Sequence, residues 1–335
     1  LNIVSSNLVN NNASIGGAIY IEGDINVENT TFTNNSATES GAAIDSTGNT
    51  NITGSNFTGN NAPNDGGIIN SKGNTTVEDS EFKGNTGPVI NGTNINVADS
   101  NFTDTQGDVI TGTGNVNVNS SEFTNATGTA IKGENVTTNN CTFTDVNNGI
   151  NATGNVDVID TDFDGVNGTA IVGGDVVVNN STFVDVNDGI DATGDVNVTD
   201  TIFDGVNGTA IAGNDVIVNN STFTDINNGI NATGNVDVTD TDFDGVNGTA
   251  IVGDDVVVNN STFTDINDGI DATGDVDVTD TDFDGVNGTA IIGNDINVNN
   301  STFTDINNGI NATGNVNVTN TDFDGVNGTA IAGND

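Results

Sequence analysis

Residues Thr241 to Asp280 read TDFDGVNGTAIVGDDVVVNNSTFTDINDGIDATGDVDVTD, and residues Thr281 to Asn320 read TDFDGVNGTAIIGNDINVNNSTFTDINNGINATGNVNVTN. They differ only by Asp-to-Asn and Val-to-Ile exchanges, apart from Val257, which becomes Asn297. Side-chain shape is kept and charge is not. That points to a repeated structural rung ahead of a catalytic centre. A shorter period runs through both copies, since Phe243, Phe263, Phe283 and Phe303 are 20 residues apart.

Working outward, all 15 Phe fall one per rung: Phe32, Phe57, Phe82, Phe102, Phe123, Phe143, then by twenties from Phe163 to Phe323. Leu8 takes the same place, which makes 16 rungs. A fixed period in this range marks stacked units. The unbroken period predicts one solenoid domain over 1–335, with less regular rungs over 1–140 and near-identical 40-residue double rungs over 141–335. Leu1, Ile3 and Leu8 align with Val176, Val178 and Phe183, so the chain starts in mid-pattern and reads as a window cut from a longer protein.

Around Phe183, apolar residues sit at Val176, Val178, Val186 and Ile190. Val-x-Val alternation marks a half-buried strand. Breaks at Asn179-Asn180, Asn187-Asp188-Gly189 and Thr193-Gly194 give about three strands and three corners per rung. Gly, Asn, Asp, Val and Thr are weak helix formers. One rung cannot bury its own apolar face, but stacked copies can pair in parallel about 4.8 Å apart. The expected fold is all-β, a right-handed parallel β-helix of 16 rungs of about 20 residues, right-handed by the general rule for parallel crossovers. Phe should form an interior ladder. Asn147, Asn167, Asn187 and so on to Asn327 should form a second, buried ladder of stacked amides at a corner, where burial would forbid a glycan. Gly149 and Gly168, each ahead of an Ile, fit a corner needing positive φ. The longer N-terminal rungs most simply enlarge corner loops.

The charge is −44, with 47 acidic residues, only Lys72, Lys83 and Lys132 as cations, and no His, Arg, Trp or Met. Nucleic-acid binding needs clustered basic side chains and is excluded. Spread over the roughly 75–80 Å that 16 such rungs would span, this charge approaches the linear density of duplex DNA, about one per 1.7 Å. Loose Ca²⁺ or Mg²⁺ association is expected, and no cofactor. Cys141 stands where later rungs have Ser181 and Ser221, so no intrachain disulfide can form and a small structural residue is expected there. No stretch reaches the roughly 18 apolar residues of a membrane-spanning helix.

Gly16-Gly17-Ala18-Ile19 with Phe32-Thr33-Asn34-Asn35, Gly41-Ala42-Ala43-Ile44 with Phe57-Thr58-Gly59-Asn60, and Gly66-Gly67-Ile68-Ile69 with Phe82-Lys83-Gly84-Asn85 resemble the GGA[ILV] and FxxN repeats of polymorphic outer-membrane proteins of chlamydial type. From Phe143 on, the pattern is more similar to adhesin-like surface proteins of methanogenic archaea, with repeats of the pectate-lyase-like right-handed β-helix class. The resemblance implies a secreted, cell-surface protein used in attachment or in building an outer layer.

Asp160-Thr-Asp162-Phe-Asp164-Gly165 matches the first half of an EF-hand loop, but Ile171 stands where the bidentate acid belongs. An outward acidic stripe is the preferred reading, recurring at Asp240, Asp242, Asp244 and at Asp280, Asp282, Asp284, and no catalytic, cofactor or metal residue is assigned. Val177, Ile217 and Val257 should form a thin outward apolar line, which lateral packing into fibres would use. The primary expectation is a non-enzymatic surface stalk or fibre subunit that meets a host-cell, cell-wall or glycan surface. The alternatives are a polysaccharide-active β-helix, lyase or hydrolase, with its site in the irregular N-terminal third, and a repetitive binder such as an ice-binding face.

Overall fold

The computed structural model describes residues 1–62 and 66–334. In them every regular element is a β-strand. The chain divides into two compact units, Leu1–Gly173 and Gly174–Asp335, here called the N-unit and the C-unit. Each is a parallel β-solenoid.

A C-unit turn consists of Asp188–Ala192, Val196–Thr199 and Ile202–Asp204. These strands lie on three faces, named here for their inward residues as the Ile, Val and Phe faces. Each strand pairs in parallel with its copy one turn on: Ile190 with Ile211, Val196 with Val216, Phe203 with Phe223. The N-unit does the same, with Ile44 against Ile69, Val77 against Val97 and Phe57 against Phe82. The three strands expected per rung are therefore present, but the corner expected at Asn187-Asp188-Gly189 turns earlier, on left-handed Asp185, and Asp188 and Gly189 already belong to the strand.

The corners on either side of the Phe face turn on single left-handed residues. Three places before each Phe stand Asn180, Asp200 and Asn220, with φ of 49, 52 and 48°. Two places after stand Asp185 and Gly205, at 51 and 68°. Asn, Asp and Gly are the residues that accept this region at least cost. Each such residue resets the in–out alternation, so Val198, Thr201, Phe203 and Val206 all face inward and are buried.

The Phe column fills the interior beside these corners. In the N-unit, neighbouring rings from Phe32 to Phe163 stack with centroids 4.6–5.0 Å apart and planes within 4–10°. In the C-unit, from Phe183 to Phe323, the figures are 4.5–4.9 Å and 6–12°. Ring spacing thus equals strand spacing. Burying each ring contributes roughly 1.5–3 kcal/mol, and each aromatic neighbour about 0.5–1.5 kcal/mol more.

A second interior column, not anticipated from sequence, holds Ser or Thr two places before Phe. Thr30, Ser55, Ser80, Ser100 and Ser121 in the N-unit and Thr201, Ser221, Thr241 and Ser261 in the C-unit are buried. Each hydroxyl donates to the carbonyl two residues back, as Ser80 Oγ does to Glu78 O at 2.8 Å. It also accepts the backbone N–H of its copy one turn earlier, as Ser80 Oγ does from Ser55 at 3.1 Å and Ser221 Oγ from Thr201 at 3.2 Å. Cys141 occupies this column, with Sγ 3.3 Å from Asn139 O, and burial pushes its thiol pKa up.

Further expectations are corrected. Asn147, Asn167 and Asn187 are exposed, not buried, because the left-handed residue two places after Phe turns the third position inward and the fourth outward. The buried amide ladder lies one residue earlier and only in the N-unit, at Asn35, Asn60 and Asn85. Gly149 and Gly168 do not have positive φ. They are Gly for close approach: a Cβ on Gly149 would lie 2.4 Å from Ala170 O. Finally, the longer N-terminal rungs do more than enlarge corner loops, since Asn12–Ile15 and Ser36–Ser40 form an added parallel pair.

Candidate functional site

The most chemically distinctive surface is acidic. Of the 47 acidic residues, 28 lie in 174–335 with no Lys among them, and 19 share 1–173 with the three Lys. Strand periodicity turns Asp242 and Asp244 outward on either side of buried Phe243. Parallel pairing then sets each column of outward residues about 4.8 Å apart. At that spacing stacked carboxylates would repel directly.

The 40-residue period relieves this. Along the C-unit, Asp in one turn is followed by a neutral partner in the next. Asn220 Nδ2 donates to Asp200 and Asn260 Nδ2 to Asp240, both at 2.5 Å, and Asn300 Nδ2 donates to Asp280. Thr262 and Thr302 hydroxyls donate to Asp242 and Asp282 at 2.6 Å. At the left-handed corner after Phe, Asp alternates with Gly: a Cβ on Gly205 would stand 2.7 Å from Asp185 Oδ1. Like charges in these columns are therefore two turns apart, about 9.6 Å, which exceeds the Debye length of about 8 Å at physiological ionic strength.

One column breaks the rule. Asp175, Asp195 and Asp215 follow on consecutive turns, as do Asp255, Asp275 and Asp295. Backbone and side-chain amides serve them: Asp195 Oδ1 accepts Asp215 N–H at 3.2 Å and Asn214 Nδ2 at 2.9 Å. The Asn214 amide first, then the Asp215 N–H, holds the Asp195 carboxyl below its ordinary value.

The half EF-hand loop does not form a cage. Asp160 sits on a corner at φ 48° while Asp162 and Asp164 flank Phe163 on a strand, so the three do not share one strand face. Among the described residues no group of three or more His, Cys, Asp or Glu could hold a metal ion.

The irregular N-terminal rungs contain a different carboxylate. Asp45 is only 3% exposed, and its Oδ2 accepts Ser40 Oγ at 2.5 Å and Asn70 Nδ2 at 2.8 Å. Lys132 pairs with Asp108 at 2.6 Å on a partly exposed surface. Val177, Ile217 and Val257 are 44, 45 and 42% exposed, as their outward strand positions require. Ile217 and Val257 border a shallow groove of about 310 Å³ whose rim carries Asp215, Asp237 and Asp255. A larger open groove of about 540 Å³ runs over Thr76, Asn96, Asn117 and Thr137 in the N-unit.

The chain matches no known protein family, no curated protein and no solved structure. Among the described residues no helix is long and apolar enough to cross a membrane.

Proposed function

We propose that the chain is a non-enzymatic structural and adhesive element of a cell surface, an acidic β-solenoid serving as a stalk or as a subunit of an extracellular fibre. The observation that carries this reading is the sameness of the turns. From Phe183 to Phe323 one ring follows another at 4.5–4.9 Å, and the outward groups recur with the 40-residue period. Equal groups repeated along a surface multiply weak contacts by avidity. Catalysis instead needs one place where two pKa values are driven apart. The likeness of the GGA[ILV] and FxxN motifs to repeats of polymorphic outer-membrane proteins, and of the pattern from Phe143 on to adhesin-like surface proteins, supports the same reading. Immunogold microscopy of intact cells tests it. Label on external stalks or fibres is expected, and label confined to the cell interior would sink the idea.

The partners that suit this surface are glycans, cell-wall polymers or a host-cell coat, with self-association along the Val177, Ile217 and Val257 line. Ca²⁺ or Mg²⁺ associates loosely and stabilises the fold by screening its self-repulsion. A melting temperature that is equal in chelator and in millimolar Ca²⁺, at fixed ionic strength, would refute this. The polysaccharide-active alternative is favoured by one observation, the buried Asp45 carboxylate. Turnover of acidic or neutral polysaccharides that disappears in Asp45→Asn would establish it.

A further inference from the structure

About thirty Asn-x-Ser/Thr sequons are spread through the chain, and composition alone accounts for many. Geometry separates them. A glycan acceptor needs an exposed amide, not held by another group, on a segment outside the strand ladder. Asn197 and Asn231 lie within strands Val196–Thr199 and Asn228–Ala232. Asn220, Asn260 and Asn300 sit on positive-φ corners with their amides donating to Asp200, Asp240 and Asp280.

Asn207, Asn247 and Asn287 are different. Each begins an Asn-Gly-Thr sequon, is exposed, and lies in the bend between a Phe-face and an Ile-face strand. Their backbones are held, as by Asn207 N–H to Val186 O at 3.1 Å, while their side-chain amides face solvent. The fold explains the other two sequon residues. A Cβ on Gly208 would meet Asp188 Oδ1 at 2.0 Å, and Thr209 N–H donates to the same atom at 3.0 Å. It gives the Asn207 amide no task. On the turns between, Asn187, Asn227 and Asn267 are followed by Asp or Asn and then Gly, so the sequon is absent there. Acceptors therefore recur on every second turn, about 9.6 Å apart. That leaves a free turn between neighbouring sugars.

We propose that Asn207, Asn247 and Asn287 carry N-linked glycans, forming a column along one corner of the C-unit. Asn167 has the same setting in the N-unit. Asn Nδ2 bonds to the anomeric carbon of a sugar activated as a lipid-linked phosphate ester. The bond from that carbon to the phosphate oxygen breaks, the phosphate ester leaves with the electron pair, and one Nδ2 proton passes to a base of the transferase. The inference rests on the surface reading above, because such transferases act outside the cytoplasm.

The full chain, isolated from the cells that make it, is cleaved before Asp, since the C-unit has no Lys or Arg for trypsin. Peptides 204–214, 244–253 and 284–294 each contain one of the three sequons, and 215–224 and 255–264 contain Asn220 and Asn260. Electron-transfer fragmentation is expected to place sugar on the first set and leave the second bare. A bare first set, or equal occupancy of both, overturns the proposal. Labelling intact cells with a membrane-impermeant amine reagent, which can reach exposed Lys72 and Lys83, separates the two failures. A labelled but bare chain sinks the glycan column alone; an unlabelled chain sinks the surface reading with it.

Discussion

The rungs around Phe32, Phe57 and Phe82 and those around Phe203, Phe243 and Phe283 close the same corner by different chemistry. In the first set the inward residue three places after Phe is Asn35, Asn60 or Asn85. Asn60 Oδ1 accepts both the Asn35 N–H at 2.9 Å and the Asn35 Nδ2 at 3.1 Å, while Asn60 Nδ2 donates to Phe32 O at 3.0 Å. In the second set the residue is Val206, Val246 or Val286, and packing replaces the amide network. Between them stand Thr105, whose buried hydroxyl finds no partner, and the small Ala126. A column of like residues works in either chemistry, and a mixed column is the poorest version of both. The units also differ in charge, because only the C-unit lacks any cation, and there, outside the column of Asp175, Asp195 and Asp215, Asp alternates with neutral residues on successive turns.

Removing one amide should break the contrast most sharply. Asn60→Ala leaves the Asn35 N–H without its acceptor, takes from the Asn35 amide one of its two partners (Leu8 O remains), and removes a donor from the Phe32 carbonyl and from Asn85 Oδ1, at about 1–3 kcal/mol for each buried group left unmet. We expect a loss of about 3–5 kcal/mol, against roughly 2 kcal/mol for Val206→Ala at the same corner. Amide exchange resolves the two units separately. Equal losses would show that the ladder contributes no more than the packing it replaces.

Next in size is the charge alternation. Asn260→Asp stacks Asp240, residue 260 and Asp280 on consecutive turns and removes the Asn260–Asp240 bond. Each new like-charge contact at about 4.8 Å costs roughly 1 kcal/mol in water, so the C-unit should lose about 2 kcal/mol at low ionic strength. The loss should shrink as NaCl is raised; a salt-independent loss would rule out repulsion as its cause.

Smaller gains should come at the seam between the two chemistries. Thr105→Asn extends the amide ladder, and Thr105→Val extends the valine column. Either should stabilise by about 1 kcal/mol by ending an unmet hydroxyl. A loss of stability in Thr105→Val would mean that the hydroxyl is satisfied after all.

The smallest effect concerns Cys141. Its buried thiol is held protonated, with a pKa raised by desolvation, so stability is constant below the unfolded thiol pKa of about 8.5 and declines as pH rises through the folded value. Cys141→Ser should remove that alkaline decline in a melting series and change little at neutral pH. An unchanged decline would assign it to other groups.

Much of this was legible before any coordinates. The Phe period, the Val-x-Val strands and the outward places of Val177, Ile217 and Val257 follow from spacing alone. The amide ladder did not, because Asn four places after Phe is the more regular pattern, whereas Asn three places after it occurs only in the early rungs. Which of the two faces inward depends on one left-handed residue, and Asp145, Gly165 and Asp185 do not announce their φ by type. Treating Asn179-Asn180 as a two-residue turn hid the hydroxyl column in the same way, since only Asn180 is left-handed and Ser181 already faces in. Asp45 was invisible because its burial comes from the added N-terminal pairing, which no period encodes.

The pairing of acidic with neutral turns also fixes the smallest part that can be exchanged. Excising 241–280 sets Asp225 against Gly285 and returns Asp240 to a place between Asn220 and Asn300, so every junction of an acidic residue matches one already present. Excising only 241–260 sets Asp225 on Asp265 and Asp240 on Asp280. Steps of two turns therefore lengthen or shorten the protein while keeping each acidic residue against a neutral one, whereas a step of one turn stacks like charges. Equal thermal stability of the two deletions would show that this grammar does not exist.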